Sequence, residues 1–425
     1  MKPKQLTPQQ QKIQQQLNKI SARFKEYSAA GHFQQAMKES LKAHKLAPNS
    51  TAPLSDAATM AVKSGLWDEA VKYAKQVLRR DPKHINAHDA LSHAYDGKKD
   101  WAGCGKYGLR ALELRDEIYG RTCPELPKIE PKNAGKKIIS FSLFGASSAY
   151  GEPAVMNAEL CPLVYPGWVC RFYIDGSVPE HVVSRLKEAG AEVVRVDETL
   201  QSWPGTLWRF LAADDEDAAY VLFRDADSVI SPREAKAVAA WLESGKLFHT
   251  MRDAGTHTEL ILAGLWGMVA GAVPDMRGKI EAYLKKPLES RHFADQFFLR
   301  ENIWPYVRQS VCAHDRLFGF MNAADFPETW ENFDPDHHHV GCDEGNSHIS
   351  ATLNLPEGSR ILWRLFTRIS PQFGENYEEI VNEQERLVCA YETTVQNGGL
   401  SAYIPRRYSK GVEKGLTKIT VAPLD

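Results

Sequence analysis

The sequence predicts an all-α helical-repeat solenoid followed by an α/β domain built on a mostly parallel sheet. Two observations carry this. In the first third of the chain a pattern of small, aromatic and proline residues recurs every 34 positions. From residue 137 onward, short apolar runs alternate with amphipathic stretches, as strands and helices do when taken in turn. The 425 residues exceed one ordinary core, and 43% hydrophobic residues with 25% charged ones exclude a wholly disordered chain.

The elements follow in order. Residues 1–16 form a Gln-rich leader, expected to be flexible. Within residues 17–120, Gly31, Phe33, Ala36 and Pro48 recur as Gly65, Trp67, Ala70 and Pro82. A third copy aligns Trp101, Tyr107 and Leu112 with Trp67, Tyr73 and Leu78. In it Lys99 replaces the glycine, Cys104 the alanine and Asp116 the proline. Each copy reads as helix, short turn, helix. This spacing resembles tetratricopeptide repeats, three of them, which implies a solenoid whose concave face binds a protein or peptide. Packing against the rest of the chain, or pairing of two copies into a homo-oligomer, stays open beside that reading.

A Pro- and Lys-rich linker covers residues 121–136, and the α/β domain covers 137–345. Strands are expected at KIISFSLF, WVCRFYID, AEVVRV and AYVLFRDAD, separated by the helices EPAVMNAELCPLVYP, VPEHVVSRLKEAG and TLWRFLAADD. Ligands of such sheets bind beyond the carboxyl ends of the strands. The loop Gly145–Gly151 and the turn Asp225-Ala226-Asp227 are therefore expected near each other. A C-terminal extension, residues 346–425, reads as short strand-like pieces around Asn397-Gly398-Gly399 that cover an acceptor cleft or join the domains.

Several function classes fall away. No G-x-G-x-x-G follows the first strand and no G-x-x-x-x-G-K-[ST] occurs, so a dinucleotide enzyme and a P-loop kinase are poorly supported. The seven cysteines include no C-x-x-C pair, which fits reduced thiols rather than a zinc or disulfide framework. With no secretory signal and no apolar run long enough to span a bilayer, a cytoplasmic protein without a transmembrane segment is expected. A net charge of −2 argues against a nucleic-acid partner. That charge is a cancellation: residues 1–130 hold 22 Lys and Arg against 14 Asp and Glu, and the remainder 30 against 40. The basic repeats would thus favour an acidic partner.

The chemistry concentrates in the carboxylate pair. Asp225 and Asp227, one residue apart at a strand end, can converge on a hard divalent cation, Mn2+ or Mg2+, that keeps positions open for phosphate oxygens. The segment LWRFLAADDEDAAYVLFRDADSVIS resembles the Arg-bearing helix, strand and D-x-D turn of metal-dependent GT-A-fold glycosyltransferases, especially the retaining galactosyl- and glucosyltransferase type. ILAGLWGMV (261–269), HFADQFFLRENIW (292–304) and the His339–Gly341 segment are similar to that group's later motifs, in the same order.

The resemblance implies an α/β GT-A-type nucleotide-sugar-binding domain preceded by the all-α tetratricopeptide-repeat solenoid. It implies a hexosyltransferase moving a sugar from a UDP-sugar to an acceptor hydroxyl with retention. Asp225, Asp227 and His339 would hold the metal, with His314 the rival for the third place. Asp295 and Gln296 would sit beside the reacting sugar. Ser142, Phe144, Tyr150, Arg209, Arg224, Asp225, Arg252, Asp253, His257 and Gly264 would bind the donor. Two departures from the family stand out: Arg224 directly precedes the first Asp, and no Lys follows the His-x-Gly segment. Neutralising the diphosphate would then fall to Arg209, Arg224 or Arg252. The acceptor is expected to be a protein or peptide recruited by the repeats, with a surface polysaccharide as the alternative. Two other classes compete: a haloacid-dehalogenase-like phosphatase, through the D-x-D-x-[TV] likeness of FRDADSVI, and a non-catalytic repeat adaptor.

Overall fold

The computed structural model describes residues 7–327, 333–374 and 377–424. The chain divides into two compact units. The first runs to Arg121 and takes in two later segments, Arg252–Leu260 and Asp315–Ala324; the second holds the rest.

Six helices build the first unit: α1 (Pro8–Ala29), α2 (Phe33–Leu46), α3 (Ala52–Lys63), α4 (Trp67–Leu78), α5 (Ile85–Gly97) and α6 (Trp101–Tyr119). The leader expected to be flexible is helical from Pro8. The Thr7 hydroxyl accepts from the Gln10 amide while the Thr7 amide donates to Gln10 Oε1, and Pro8 occupies the first helical position. Such a reciprocal cap satisfies amides that would otherwise fray the helix. Residues 1–6 lie outside the described residues.

The repeat register has a physical basis. Ala36, Ala70 and Cys104, equivalent in the three copies, are each 0% exposed, because close helix crossings admit only small side chains. Gly31 and Gly65 turn between helices at φ 74° and 68°, and Lys99 is forced into the same left-handed conformation at 59°. The third repeat is also already occupied by the chain's own later segments. Arg115 forks onto Asp89 at 2.9 and 2.7 Å and lies 3.5 Å from Glu259. Ser92 Oγ stands 3.0 Å from the Gly255 carbonyl, and Phe318 packs so closely on Gly108 that a Cβ there would come within 2.2 Å of its ring.

In the second unit β1 (Lys136–Leu143), β2 (Val169–Ile174), β3 (Glu192–Arg195), β4 (Ala218–Arg224), β5 (Phe248–Arg252), β6 (Trp266–Val269) and β7 (Val311–Asp315) form one sheet in the order β3-β2-β1-β4-β6-β5-β7. The β3-β2-β1-β4 portion is parallel, as expected. β6, however, runs antiparallel to both β4 and β5. No helix bridges β5 and β6, and only a crossover connection can return a strand in parallel.

Between the strands lie α7 (Ser148–Val164), α8 (Glu180–Glu188), α9 (Glu198–Gln201), a 3-10 helix (Gly205–Asp214) and α10 (Pro232–Glu243). Then come α11 (Met276–Leu284), α12 (Ala294–Phe298) and α13 (Trp304–Val307), with α14 (Pro335–His338) after the sheet. Strand order reverses between β1 and β4, which puts their carboxyl ends side by side at the position where open α/β sheets bind ligands.

The C-terminal extension is more regular than expected. β8 (Ser347–Thr352) pairs with β11 (Gly399–Ile404), while β9 (Arg360–Phe373) and β10 (Glu379–Thr394), 14 and 16 residues long, form a hairpin extended by β12 (Thr417–Pro423). α15 (Arg406–Glu413) lies between β11 and β12. The extension is fastened to α7: Tyr391 donates to Glu152 at 2.9 Å, and the Ser148 hydroxyl donates to the Tyr403 carbonyl at 2.7 Å. Among the described residues no helix is long and apolar enough to cross a membrane.

The turn at Lys99 makes a prediction. Lys99→Gly should raise the unfolding free energy by about 1 kcal/mol, since only a side chain is penalised at that φ. Urea denaturation of the two proteins tests it; an unchanged or lowered midpoint would refute the strain.

Candidate functional site

The site grows from the turn after β4. Asn157 of α7, 0% exposed, holds this turn: its Nδ2 donates to the Ser228 carbonyl at 2.7 Å and its Oδ1 accepts from the Ile230 amide at 2.8 Å. Asp225 and Asp227 therefore leave the sheet in a defined conformation, with Ala226 buried between them. Sequence reasoning missed Asn157, which reads there as one more polar residue of a helix.

Arg209 joins the motifs. It is 2% exposed and forks between two carboxylates, Asp225 Oδ1 at 2.6 Å and Asp295 Oδ2 at 2.8 Å. Its backbone is fixed from β1: the Arg209 amide donates to Ser142 Oγ at 2.9 Å, and Ser140 Oγ donates to the Arg209 carbonyl at 2.7 Å. Asp295 Oδ1 accepts from the Gln296 amide at 3.0 Å. Burial raises the Asp295 pKa and Arg209 opposes that rise. Gln296 is committed to backbone: with its amide assigned in the orientation its neighbours require, the nitrogen faces the Ile261 carbonyl at 2.8 Å and the oxygen the Ala263 amide at 3.1 Å. That clamp sets Gly264, where a Cβ would stand 2.0 Å from Asp225 Oδ2. Glycine alone leaves the carboxylate its place.

Tyr150 and Phe144 are 47% and 43% exposed. Phe144 rests edge-on against Trp208, ring centroids 5.6 Å apart. Burial raises the Tyr150 pKa, with Asp227, Asp343 and Asp225 adding to it, so the phenol lies among three carboxylates. The Asp227 carboxyl is pushed up to about 7, first by burial and then by Asp225 and Asp343.

Four expectations need correction. Arg224 does not face the turn's ligand side: it is 1% exposed, its Nε bonds Glu234 at 3.1 Å, and its Nη1 bonds the Phe223 and Trp266 carbonyls. Arg252, Asp253 and His257 group with the repeat unit. There Arg252 donates to the Glu259 and Leu260 carbonyls, Arg316 pairs with Asp253 at 3.2 Å, and His257 Nδ1 accepts from the Asp253 amide at 3.0 Å. Among the described residues His339 is not grouped with the carboxylates as a metal ligand; its Nδ1 is bonded to the Pro335 carbonyl at 2.7 Å. The backbone of the following residues is tied to the turn instead, Asp343 through a bridge to Ser228 and the Glu344 amide on the Asp227 carbonyl at 2.8 Å. His314 packs in the core with its Nδ1 2.9 Å from His249 Nε2.

Among the described residues no three His, Cys, Asp or Glu side chains are already grouped as metal ligands. The donor set still fits a hard cation: all its donors are oxygens, and the repulsion that raises Asp227 is what a positive ion would relieve.

No family model matches the chain, and no curated protein does. Among solved structures, the TPR2AB domain of yeast Sti1 with pHSP90 matches at TM-score 0.24 and 20% identity, over 24% of this chain and 40% of that one. An O-GlcNAc transferase of Thermobaculum terrenum matches at TM-score 0.25 and 12% identity, over 52% and 46%. Glucosyl-3-phosphoglycerate synthase of Mycobacterium tuberculosis, with Mn2+, UDP and phosphoglyceric acid, matches at TM-score 0.29 and 12% identity, over 49% and 72%. The chain thus spans less than half the length of the first two. Superpositions this loose assign no activity, and the function proposed below rests on the chain's own residues.

Two predictions follow from the geometry. Asn157→Ala leaves a buried carbonyl and a buried amide unpartnered, and should cost about 2–4 kcal/mol in urea unfolding; a loss under about 0.5 kcal/mol would show that the clamp is dispensable. Burial also pushes His314 down to about 4 and His249 well below its usual value. The unfolded chain then binds more protons below about pH 6.5, so stability is intact above that pH and lost as pH falls toward 4. His314→Gln should flatten this acid limb, and an unchanged slope would refute the assignment.

Proposed function

We propose that the second unit is a glycosyltransferase that uses a nucleotide-sugar donor, UDP-linked, with Mn2+ or Mg2+, and transfers the sugar to an acceptor hydroxyl with retention of configuration. The observation that carries this is the fork of Arg209 between Asp225 and Asp295. It ties the D-x-D turn to the Asp-Gln helix at the carboxyl edge of the sheet, joining motifs 70 positions apart in the chain.

Each residue has a role in that reaction. Asp225 and Asp227 would hold the cation with Asp343 beside them, and the cation would supply positive charge to the departing diphosphate. Phe144 and Tyr150 offer exposed aromatic faces to the base and ribose. Gly264 leaves the Asp225 carboxylate the place it needs to hold the cation. Asp295, held by Arg209 and the Gln296 amide, places negative charge where the anomeric carbon becomes positive. Gln296 acts as a positioning residue for the Ile261–Gly264 wall, since its amide is spent on that backbone. A protein or peptide acceptor fits the repeats, and its docking rests on the first two, because the third is filled by Arg252–Leu260 and Asp315–Ala324.

The test is thermal unfolding with UDP and Mn2+, followed by donor hydrolysis across a panel of nucleotide sugars. UDP with metal should raise Tm by several degrees. Asp225→Asn should abolish that shift, while Arg209→Lys, which cannot fork, should lower kcat about 100- to 1,000-fold. Absence of any nucleoside-diphosphate response together with phosphatase activity would sink the proposal, and a product of inverted configuration would remove retention.

A further inference from the structure

All seven cysteines are free thiols, and two of them face each other within the second unit. Cys161 lies in the last turn of α7 and Cys170 is the second residue of β2; both are buried. Each thiol reaches the backbone of the other's segment. Cys161 Sγ stands 3.5 Å from the carbonyl of Trp168, two residues before Cys170. Cys170 Sγ stands 3.6 Å from the carbonyl of Asn157, one helical turn before Cys161. The two side chains therefore cross in the gap between helix and strand, and the Cys170 thiol is also hydrogen-bonded to the Cys161 sulfur. No part of the proposed transfer uses either one.

Three further features suit this pair to oxidation. Both cysteines line a cavity of about 40 Å3, closed on its other sides by Ala158, Pro162, Trp168 and the Ala189–Ala191 turn. That volume holds a molecule the size of water or hydrogen peroxide and nothing much larger. Pro162 and Gly190 are exposed, so the cavity lies directly beneath the surface. Pro162 also has no N–H to give the Ala158 carbonyl, which leaves the last turn of α7 short of one hydrogen bond and able to yield as the sulfurs close. The two thiols differ in character as well. Burial raises the pKa of Cys104, Cys170, Cys312, Cys342 and Cys389, whereas the hydrogen bond from Cys170 lowers that of Cys161.

We propose that Cys161 and Cys170 are a redox pair that hydrogen peroxide closes into a reversible disulfide, with Cys161 the attacking sulfur and Cys170 the resolving one. The Cys161 thiolate attacks one peroxide oxygen and the O–O bond breaks. Hydroxide leaves and takes up the proton that Cys161 gave off, forming water, and Cys161 becomes a sulfenic acid. The Cys170 sulfur then attacks the Cys161 sulfur, the S–O bond breaks, and the oxygen departs with the Cys170 proton as a second water. Two thiols are oxidised and one peroxide is reduced. Closure also withdraws the Cys170 thiol from the Asn157 carbonyl, on the residue whose side chain holds the D-x-D turn. The pairing does not depend on the glycosyltransferase reading, because no nucleotide enters the chemistry or its measurement.

Disulfide mapping of the full chain tests it. The folded, reduced protein is treated with a small excess of hydrogen peroxide, then unfolded, alkylated and digested with chymotrypsin, whose cut after Trp168 separates the two cysteines. Mass spectrometry should find the Cys161 and Cys170 peptides joined, with Cys104 and Cys389, equally buried, still alkylated. Dithiothreitol should restore both thiols. Cys161→Ser should slow the loss of the Cys170 thiol at least about tenfold. In Cys170→Ser the reaction should stop at a Cys161 sulfenic acid that dimedone captures. The wild-type digest decides the matter even if a variant folds poorly. Absence of the joined peptides while the exposed Cys123 is oxidised, or Cys104 and Cys389 lost as fast as Cys161 and Cys170, would overturn the assignment.

Discussion

A guanidinium that is 2% exposed cannot sit in a protein without partners, and the partners of Arg209 organise the candidate site. One arm goes to Asp225 and the other to Asp295, while two serines of β1 fix its backbone. Four segments distant in sequence are thereby held to one charge. Arg209 is carried by the 3-10 helix Gly205–Asp214, bounded by Pro204 and Asp215. Around this ion pair the smaller features become necessary. Gly264 must lack a side chain because Asp225 already occupies the space, and Gln296 must grip the Ile261–Ala263 backbone for Gly264 to stay there.

Much of this was legible in the sequence for reasons that can be named. The repeats announce themselves because Ala36, Ala70 and Cys104 meet a neighbouring helix too closely for larger residues. β1, β2 and β4 are runs that the sheet buries on both faces, while β3 is a half-exposed edge strand, and the D-x-D turn ends β4. What was not legible depends on tertiary contact. Nothing local distinguishes Asn157 from another helical polar residue, yet it alone satisfies both sides of the turn. The place of His339 depended on how its segment folds, and it is the backbone of Asp343, four residues on, that bridges to Ser228 of the turn. The direction of β6 was hidden too, since it follows from the absence of a helix after β5 rather than from any residue of β6.

The MRDAGTH segment teaches a related lesson. Its Arg252, Asp253 and His257 look like site residues by type, and each makes its contacts within its own loop and the repeat unit, although Arg252 Nη1 is left without a hydrogen-bond partner. Chemistry-bearing residues in a row therefore identify a site only when the fold leaves their polar atoms facing the same space. The third repeat shows the converse. Of the uses left open for the repeats, a partner's surface or packing against the rest of the chain, the third repeat has the second: it is the seat of the chain's own segments, held by Arg115, Ser92 and the ring of Phe318.

The charge distribution closes the argument about the donor. The acidic excess of the chain after residue 130 is not spread evenly: burial first, and then the neighbouring Asp225 and Asp343, push the Asp227 carboxyl up to about 7. A diphosphate approaching that turn meets like charge. Neither nearby arginine can offset it alone: Arg224 is enclosed with Glu234, and Arg209 is divided between two carboxylates. In the proposed reaction a charge of the right sign would have to come from outside the polypeptide, and the carboxylate oxygens of Asp225 and Asp227 are the kind of donor that a hard divalent ion takes. On this reasoning, in the proposed reaction the cation is required twice, once so that the carboxylates can be ionised together and once so that an anionic donor can bind over them.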